Sequence, residues 1–207
     1  MPYENGALPA YFIRAENTTE KRTPCIVRFG GFDTQKELQY LRGVAEIARR
    51  GFSCLLVDGP GMGEAIRFRN FYLRHDYEVA GTAALDYLAT RADVDINRVG
   101  VVALSLGGYY APRCAAMDAR YKACIAWGAM WDYHEVWQRR IERLKQASLS
   151  VPADHLLWVF GVKTFDEALA KLEGFKLDGV AQKIQCPFLL THGTDDEQVS
   201  MADAQKL

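Results

Sequence analysis

No stretch of the 207-residue sequence approaches the roughly 18 to 20 apolar residues that a membrane span requires. Met1-Pro2-Tyr3-Glu4-Asn5-Gly6 offers neither a basic n-region nor an apolar h-region, so no secretory signal is read at the start. No G-K-[ST] is present, which excludes a P-loop, and no H-E-x-x-H or C-x-x-C offers a metal-ligand set. No metal or other cofactor is therefore expected. Asp58-Gly59-Pro60-Gly61-Met62-Gly63 is not a dinucleotide fingerprint, because Glu64 stands three residues after Gly61 where that pattern needs a small residue. Charge of either sign is not in excess: 25 Lys plus Arg face 26 Asp plus Glu, a net charge of −1. Neither nucleic acid nor an anionic membrane is expected as a partner. The five cysteines are odd in number, widely spaced and set in apolar runs, where a free thiol behaves as a small hydrophobe. The compartment expected from them is a reduced, cytoplasmic one.

What is present is ordinary globular composition, with 49% hydrophobic, 12% aromatic and 25% charged residues. Short apolar runs alternate with longer amphipathic ones. Pro24–Phe29, Ser53–Val57, Val99–Leu104, Ala123–Trp127 and Pro187–Leu190 read as strands. Helical spacing runs through Gln35–Arg50 (stopped by Gly51), Tyr77–Thr90 and from Gly107 to Ala119. Apolar strands without polar alternation, separated by helices, predict an α/β fold: a doubly wound, mostly parallel sheet covered on both faces. Between Trp131 and Ile184 the rhythm breaks into helices, Tyr133–Ala147, an apolar Val151–Phe160, and Thr164–Glu173 with Thr164 and Glu167 spaced as a capping box. The reading is one domain over residues 1–207 with a helical cap inserted at about 131–184; the plainer alternative is a long crossover with extra helices.

Ligands of open α/β sheets bind at the carboxyl ends of the strands. At one such end stands Ala103-Leu104-Ser105-Leu106-Gly107-Gly108, a serine where a buried strand turns into a helix, with small residues two before and two after. That is the nucleophile-elbow pattern with Ala103 in the first glycine position. The steric demand explains it: positions 103 and 107 must be small for strand and helix to approach. The Leu106 amide is then aimed at a developing oxyanion, although serine is also common at helix N-caps. A second end, Phe29-Gly30-Gly31-Phe32-Asp33, leaves the Phe32 amide free as the second oxyanion donor, or forms a plain turn capped by Asp33 or Thr34. A third, Thr191-His192-Gly193-Thr194-Asp195-Asp196, brings an acidic residue that would orient a histidine. The aromatics Trp127, Trp131, Tyr133 and Trp137 either line an aromatic substrate pocket or pack the cap on the sheet. Trp131 and Glu135 are the candidate pocket residues, Glu135 as an extra acid near the substrate.

Together, Phe29–Asp33, D-G-P-G-M-G-E at Asp58–Glu64, A-L-S-L-G-G at Ala103–Gly108 and H-G-T-D-D-E-Q-V at His192–Val199 resemble an α/β-hydrolase. More narrowly, G-G-F-D-T-Q-K-E, S-L-G-G-Y-Y-A-P-R and A-W-G-A-M-W-D-Y are similar to the branch that holds 2,6-dihydroxypseudooxynicotine hydrolases, fungal pigment heptaketide hydrolases and fermentation/respiration-switch esterases. The resemblance implies Ser105 as nucleophile, Asp196 as the triad acid in preference to Asp195, and an oxyanion hole from Phe32 and Leu106. It also implies a catalytic histidine after the acid, which this sequence does not contain. His192 belongs to the strand-end motif, His75 to a helix lead-in, and His134 and His155 to the cap, where a packed or solvated histidine is expected. The sequence therefore reads as a longer hydrolase incomplete at both ends. The function expected is a serine hydrolase acting on an ester, or on a C–C bond of a ketone or polyketide-like small molecule, through an acyl-enzyme, as in secondary metabolism. The alternative is a non-catalytic remnant or binding module without the histidine. A homodimer stays open.

Overall fold

The computed structural model of the chain describes residues 1–147 and 153–207. A small hairpin, β1 (Pro2–Tyr3) with β2 (Gly6–Ala7), precedes a six-stranded sheet. Its strands are β3 (Ala10–Ile13), β4 (Thr23–Phe29), β5 (Ser53–Val57), β6 (Val94–Leu104), β7 (Tyr121–Trp127) and β8 (Phe188–Thr191). The order across the sheet is β3-β5-β4-β6-β7-β8, parallel throughout except for β3, which runs antiparallel along β5. The expected α/β architecture is what the chain forms. All five residues of β5 are buried, in keeping with a run that has no polar alternation.

Helices α1 (Lys36–Leu41) and α2 (Val44–Arg49) follow β4. Sequence periodicity predicts a single helix there, and the structure corrects it. Gly43 sits at φ 85°, a left-handed conformation that ends one helix and starts the next. Then come α3 (Gly63–Arg69), α4 (Glu78–Ala89) and α5 (Gly107–Met117). Between β7 and β8 lie α6 (Tyr133–Gln146), α7 (Asp154–Phe160), α8 (Phe165–Leu172) and a 3₁₀ turn at Ala181–Lys183; α9 (Met201–Lys206) comes last. Thr164 and Glu167 form the expected capping box, with the Glu167 amide donating to Thr164 Oγ1 and the Thr164 amide to Glu167 Oε2. The start of the predicted apolar run Val151–Phe160 lies outside the described residues. No helix among the described residues is long and apolar enough to cross a membrane.

Two strand neighbours decide where a ligand can bind. The chain leaves β4 toward β5 on one side, and β6 pairs with β4 on the other. The carboxyl ends of β4 and β6 thus flank the point where strand order reverses, which opens a crevice in sheets of this kind. Register brings the ends level: Phe29 lies beside Ala103, Leu104 beside Trp127, and Trp127 beside Thr191. One core cluster spans the sheet, α4, α5 and the helices between β7 and β8.

The D-G-P-G-M-G-E segment has a structural task. Asp58, fully buried at the end of β5, accepts the Lys36 amide at 2.7 Å and the Glu64 amide at 2.9 Å, capping α1 and α3 with one carboxylate. The Lys36 ammonium, also buried, donates to Asp58 Oδ2 at 3.1 Å and pairs with Glu37 and Glu64. Burial alone would lower the Lys36 pKa, but these carboxylates outweigh it and raise it above the ordinary lysine value.

Candidate active site

β6 ends at Leu104, and α5 begins three residues later, so the serine between them must reverse the chain sharply. Ser105 does so at φ 62°, one of four non-glycine residues with positive φ among the described residues. Such a conformation is strained for any residue with a Cβ and concentrates at functional sites. Backbone bonds fix the turn on both sides: the Ser105 amide donates to the Trp127 carbonyl at 2.9 Å, and the Gly108 amide donates to the Ser105 carbonyl at 2.7 Å. The side chain is left exposed to a cleft of about 990 Å³.

The small-residue requirement read from the sequence holds in atomic terms. A Cβ on Gly107 would collide with the Ala103 Cβ and come within 3.0 Å of the Gly30 carbonyl oxygen. A Cβ on Gly31 would stand 2.9 Å from the Ser105 Cβ. Gly107→Ala is accordingly expected to lower unfolding free energy by about 1 to 3 kcal/mol through overpacking. Adding Ala103→Gly removes the opposing methyl and is expected to recover part of that loss. Denaturant titration of the four proteins of this cycle measures the coupling; strict additivity of the two changes would refute the contact as its cause.

The loop after β4 lies along the same cleft. Phe32 and Leu106 both line it, and among the described residues neither backbone amide donates to a protein acceptor. The Phe32 ring is held by helices of the β7–β8 interval, 6.0 Å from Tyr133, 6.5 Å from Trp137 and 4.6 Å from His155, centre to centre. The loop after β8 supplies the opposite wall. Asp196 lines the cleft, and its Oδ1 accepts the amides of Gln198 at 2.8 Å and Val199 at 3.0 Å.

His192 also lines the cleft, but both ring nitrogens are occupied. The Ala129 amide donates to Nδ1 at 3.0 Å, so Nε2 carries the proton and donates to the Val199 carbonyl at 3.0 Å. This histidine ties the β7 and β8 loops together. His75 is exposed, His134 contacts Gln138 one turn on, and the His155 ring packs against Phe32 and Trp158. None of the four hydrogen-bonds Ser105 among the described residues.

The structure thus brings Ser105, Leu106, Phe32 and Asp196 to one cleft. Trp131 and Glu135, the pocket residues expected from sequence, are not among those lining it. Trp131 is partly buried against the core, and Glu135 faces Arg139 at 3.5 Å. The cleft wall on α6 is made by Tyr133 and Trp137, two of the aromatics the sequence offers as pocket lining or cap packing, with Val136, Arg140, Arg143, Leu144 and, at its end, Ala147. These positions repeat at helical spacing, a stripe the sequence carries openly. The sequence reading missed the two arginines in it.

An exposed serine in a strained strand-to-helix turn, at the reversal point of a parallel sheet, defines a class of α/β protein. The sequence comparisons agree: the pattern of the alpha/beta hydrolase family matches residues 30–204, and the chain belongs to that family. Hydrolase LUC6 of a Fusarium species is 32% identical over 94% of this chain and 54% of its own length. 20-hydroxy-prefusarin hydrolase FUS2 of Gibberella moniliformis is 30% identical over the same shares, 94% and 54%. The crystal structure of the 2,6-dihydroxy-pseudo-oxynicotine hydrolase matches with a TM-score of 0.83 at 26% identity, covering 99% of this chain and 54% of that one. The chain spans about half the length of the curated relatives it matches.

Proposed function

We propose that this chain carries the nucleophile side of a serine hydrolase. Ser105 Oγ attacks a carbonyl carbon while a base takes its proton; the amides of Phe32 and Leu106 hold the oxyanion, and Asp196 orients the histidine that serves as base. Collapse of the tetrahedral adduct breaks the bond to the leaving group, which takes that proton, and water then releases the acyl group from Ser105. The substrate is a small molecule with an ester, or with a C–C bond next to a ketone in a polyketide-like skeleton. The activity by which one relative is known, that of a 20-hydroxy-prefusarin hydrolase, supports that substrate class.

The observation that carries this reading is the positive φ of Ser105 at a turn opening on the cleft. A fluorophosphonate probe tests it. The protein as expressed in its source is expected to be labelled, and its Ser105→Ala variant is expected not to be. Equal labelling of the two would sink the assignment.

One observation favours a second reading, a binding module that performs no chemistry. A serine hydroxyl is a weak nucleophile without a neighbouring base, and among the described residues no histidine reaches Ser105. Absence of probe labelling in both proteins, with ligand binding intact, is the result that second reading expects.

A further inference from the structure

Three arginines of α6 stand near the cleft, and they are not employed alike. Arg139 is held on two sides, 3.5 Å from Glu135 and 2.8 Å from Asp203, a buried carboxylate on α9 that also accepts from Ser200 Oγ. Arg143 lines the cleft and donates from Nη1 to the Glu197 carbonyl at 2.6 Å. Arg140 lines the cleft too, its guanidinium carbon 4.9 Å from the centre of the Trp137 ring. Among the described residues Arg140 has neither an ion-pair partner nor a hydrogen-bond acceptor. The other charges on the cleft wall are Asp33 and Asp196, and Asp196 is engaged by two amides.

A guanidinium lying on an indole is oriented by the ring, and its edge donors stay free. It is more weakly hydrated than an ammonium, and its planar fork matches the two oxygens of a carboxylate. Arg140 is two turns further along α6 than Tyr133, about 10 Å at 1.5 Å per residue. The Trp137 ring under the Arg140 guanidinium packs in turn against Phe32 on the loop after β4, 6.5 Å centre to centre. Tyr133, Val136 and Trp137 on the same wall are buried, Trp137 to 2% exposure, so the Arg140 guanidinium is what this stretch of α6 presents to the cleft.

We propose that Arg140 is the anion-binding residue of this cleft, and that the ligand group it takes is a carboxylate. The carboxylate meets the edge of the guanidinium that the Trp137 ring leaves free, and the rest of the ligand occupies the cleft that Ser105 also lines. The proposal rests on the cleft being the substrate site, as in the function proposed above, but not on Ser105 acting as nucleophile.

The test measures binding without turnover. In the Ser105→Ala protein, titration calorimetry compares 2-naphthoate with its neutral counterpart 2-naphthamide. The acid is expected to bind about tenfold to a hundredfold more tightly, the range for a hydrogen-bonded charge pair. Adding Arg140→Gln is expected to bring the acid-to-amide ratio to near one, and Arg140→Lys, which keeps the charge and loses the fork, to restore it in part. The readout is the ratio, so a general loss of binding does not count in favour. Equal affinity for acid and amide with Arg140 in place, or a retained preference in Arg140→Gln, overturns the proposal. Failure of the nucleophile assignment is read separately from probe labelling and leaves this comparison standing.

Discussion

Replacing Ser105 by alanine is expected to lower ester hydrolysis by the protein as expressed in its source on the order of 10⁴-fold or more. That corresponds to about 5.5 kcal/mol of transition-state stabilisation. The residual rate expected is what binding and the two proposed oxyanion donors, the amides of Phe32 and Leu106, would supply, since the substitution leaves them in place. The fold is expected to survive, because the hydroxyl is exposed and makes no hydrogen bond among the described residues, while the backbone bonds of the turn remain. Initial rates on a series of p-nitrophenyl esters measure the loss. Turnover within tenfold of the parent would place the chemistry on another residue.

Asp58→Ala is expected to produce the largest loss of stability of any single change considered for this chain. Its carboxylate caps two helices and faces a buried ammonium, so alanine strands two amides and part of a charge pair. Removing one partner of a buried pair costs about 3 to 5 kcal/mol. Glu37 and Glu64 still reach Lys36, which puts the expectation near the lower figure, about 3 kcal/mol. Asp58→Asn keeps an acceptor for one amide and is expected to lose less. The pH dependence follows from the raised Lys36 pKa. The folded state holds that proton more tightly than the unfolded chain, so its contribution is complete below the ordinary value of 10.5 and falls away as pH rises beyond it. The gap in denaturant midpoint between the parent and Asp58→Ala is therefore expected to be constant from pH 7 to about 10 and to narrow above that. A gap that widens there would contradict the charge pair as its source. The same carboxylate pins the first residue of α1, and with it the loop that carries Phe32, so part of the D-G-P-G motif's value lies in the neighbouring site.

The features legible in the sequence are those that local chemistry dictates. Buried parallel strands have to be continuously apolar, which is why Ser53–Val57 and Val99–Leu104 stand out. The elbow declares itself because Ala103 and Gly107 have to be small. Helix continuity is another matter. The apolar spacing from Gln35 to Arg50 runs unbroken through Gly43, and only the backbone shows that this glycine adopts a left-handed turn. The edge strand Ala10–Ile13 is four residues long and passed unnoticed, since short strands carry little periodicity. In the cleft, the aromatics Trp127, Tyr133 and Trp137 are legible and line the wall, whereas Glu135 is not on it. Trp131 precedes α6, so helical phase says nothing of it, while Glu135 stands two residues from both Tyr133 and Trp137 on the wall. Two residues along a helix is a rotation of about 200°, enough to exchange one face for the other. The sequence assigns His192 to the strand-end motif; that both its ring nitrogens are engaged, by Ala129 and Val199, lies in contacts between separate loops.

The proposed mechanism stands or falls on acylation of Ser105. The most direct measurement is mass spectrometry of the protein as expressed in its source, quenched in acid during turnover of p-nitrophenyl acetate and digested. An acetyl group is expected on the peptide that contains Ser105, absent from the Ser105→Ala protein and lost again as turnover completes. Burst release of p-nitrophenol with no acetyl on that peptide, or with the acetyl on another residue in both proteins, would contradict it.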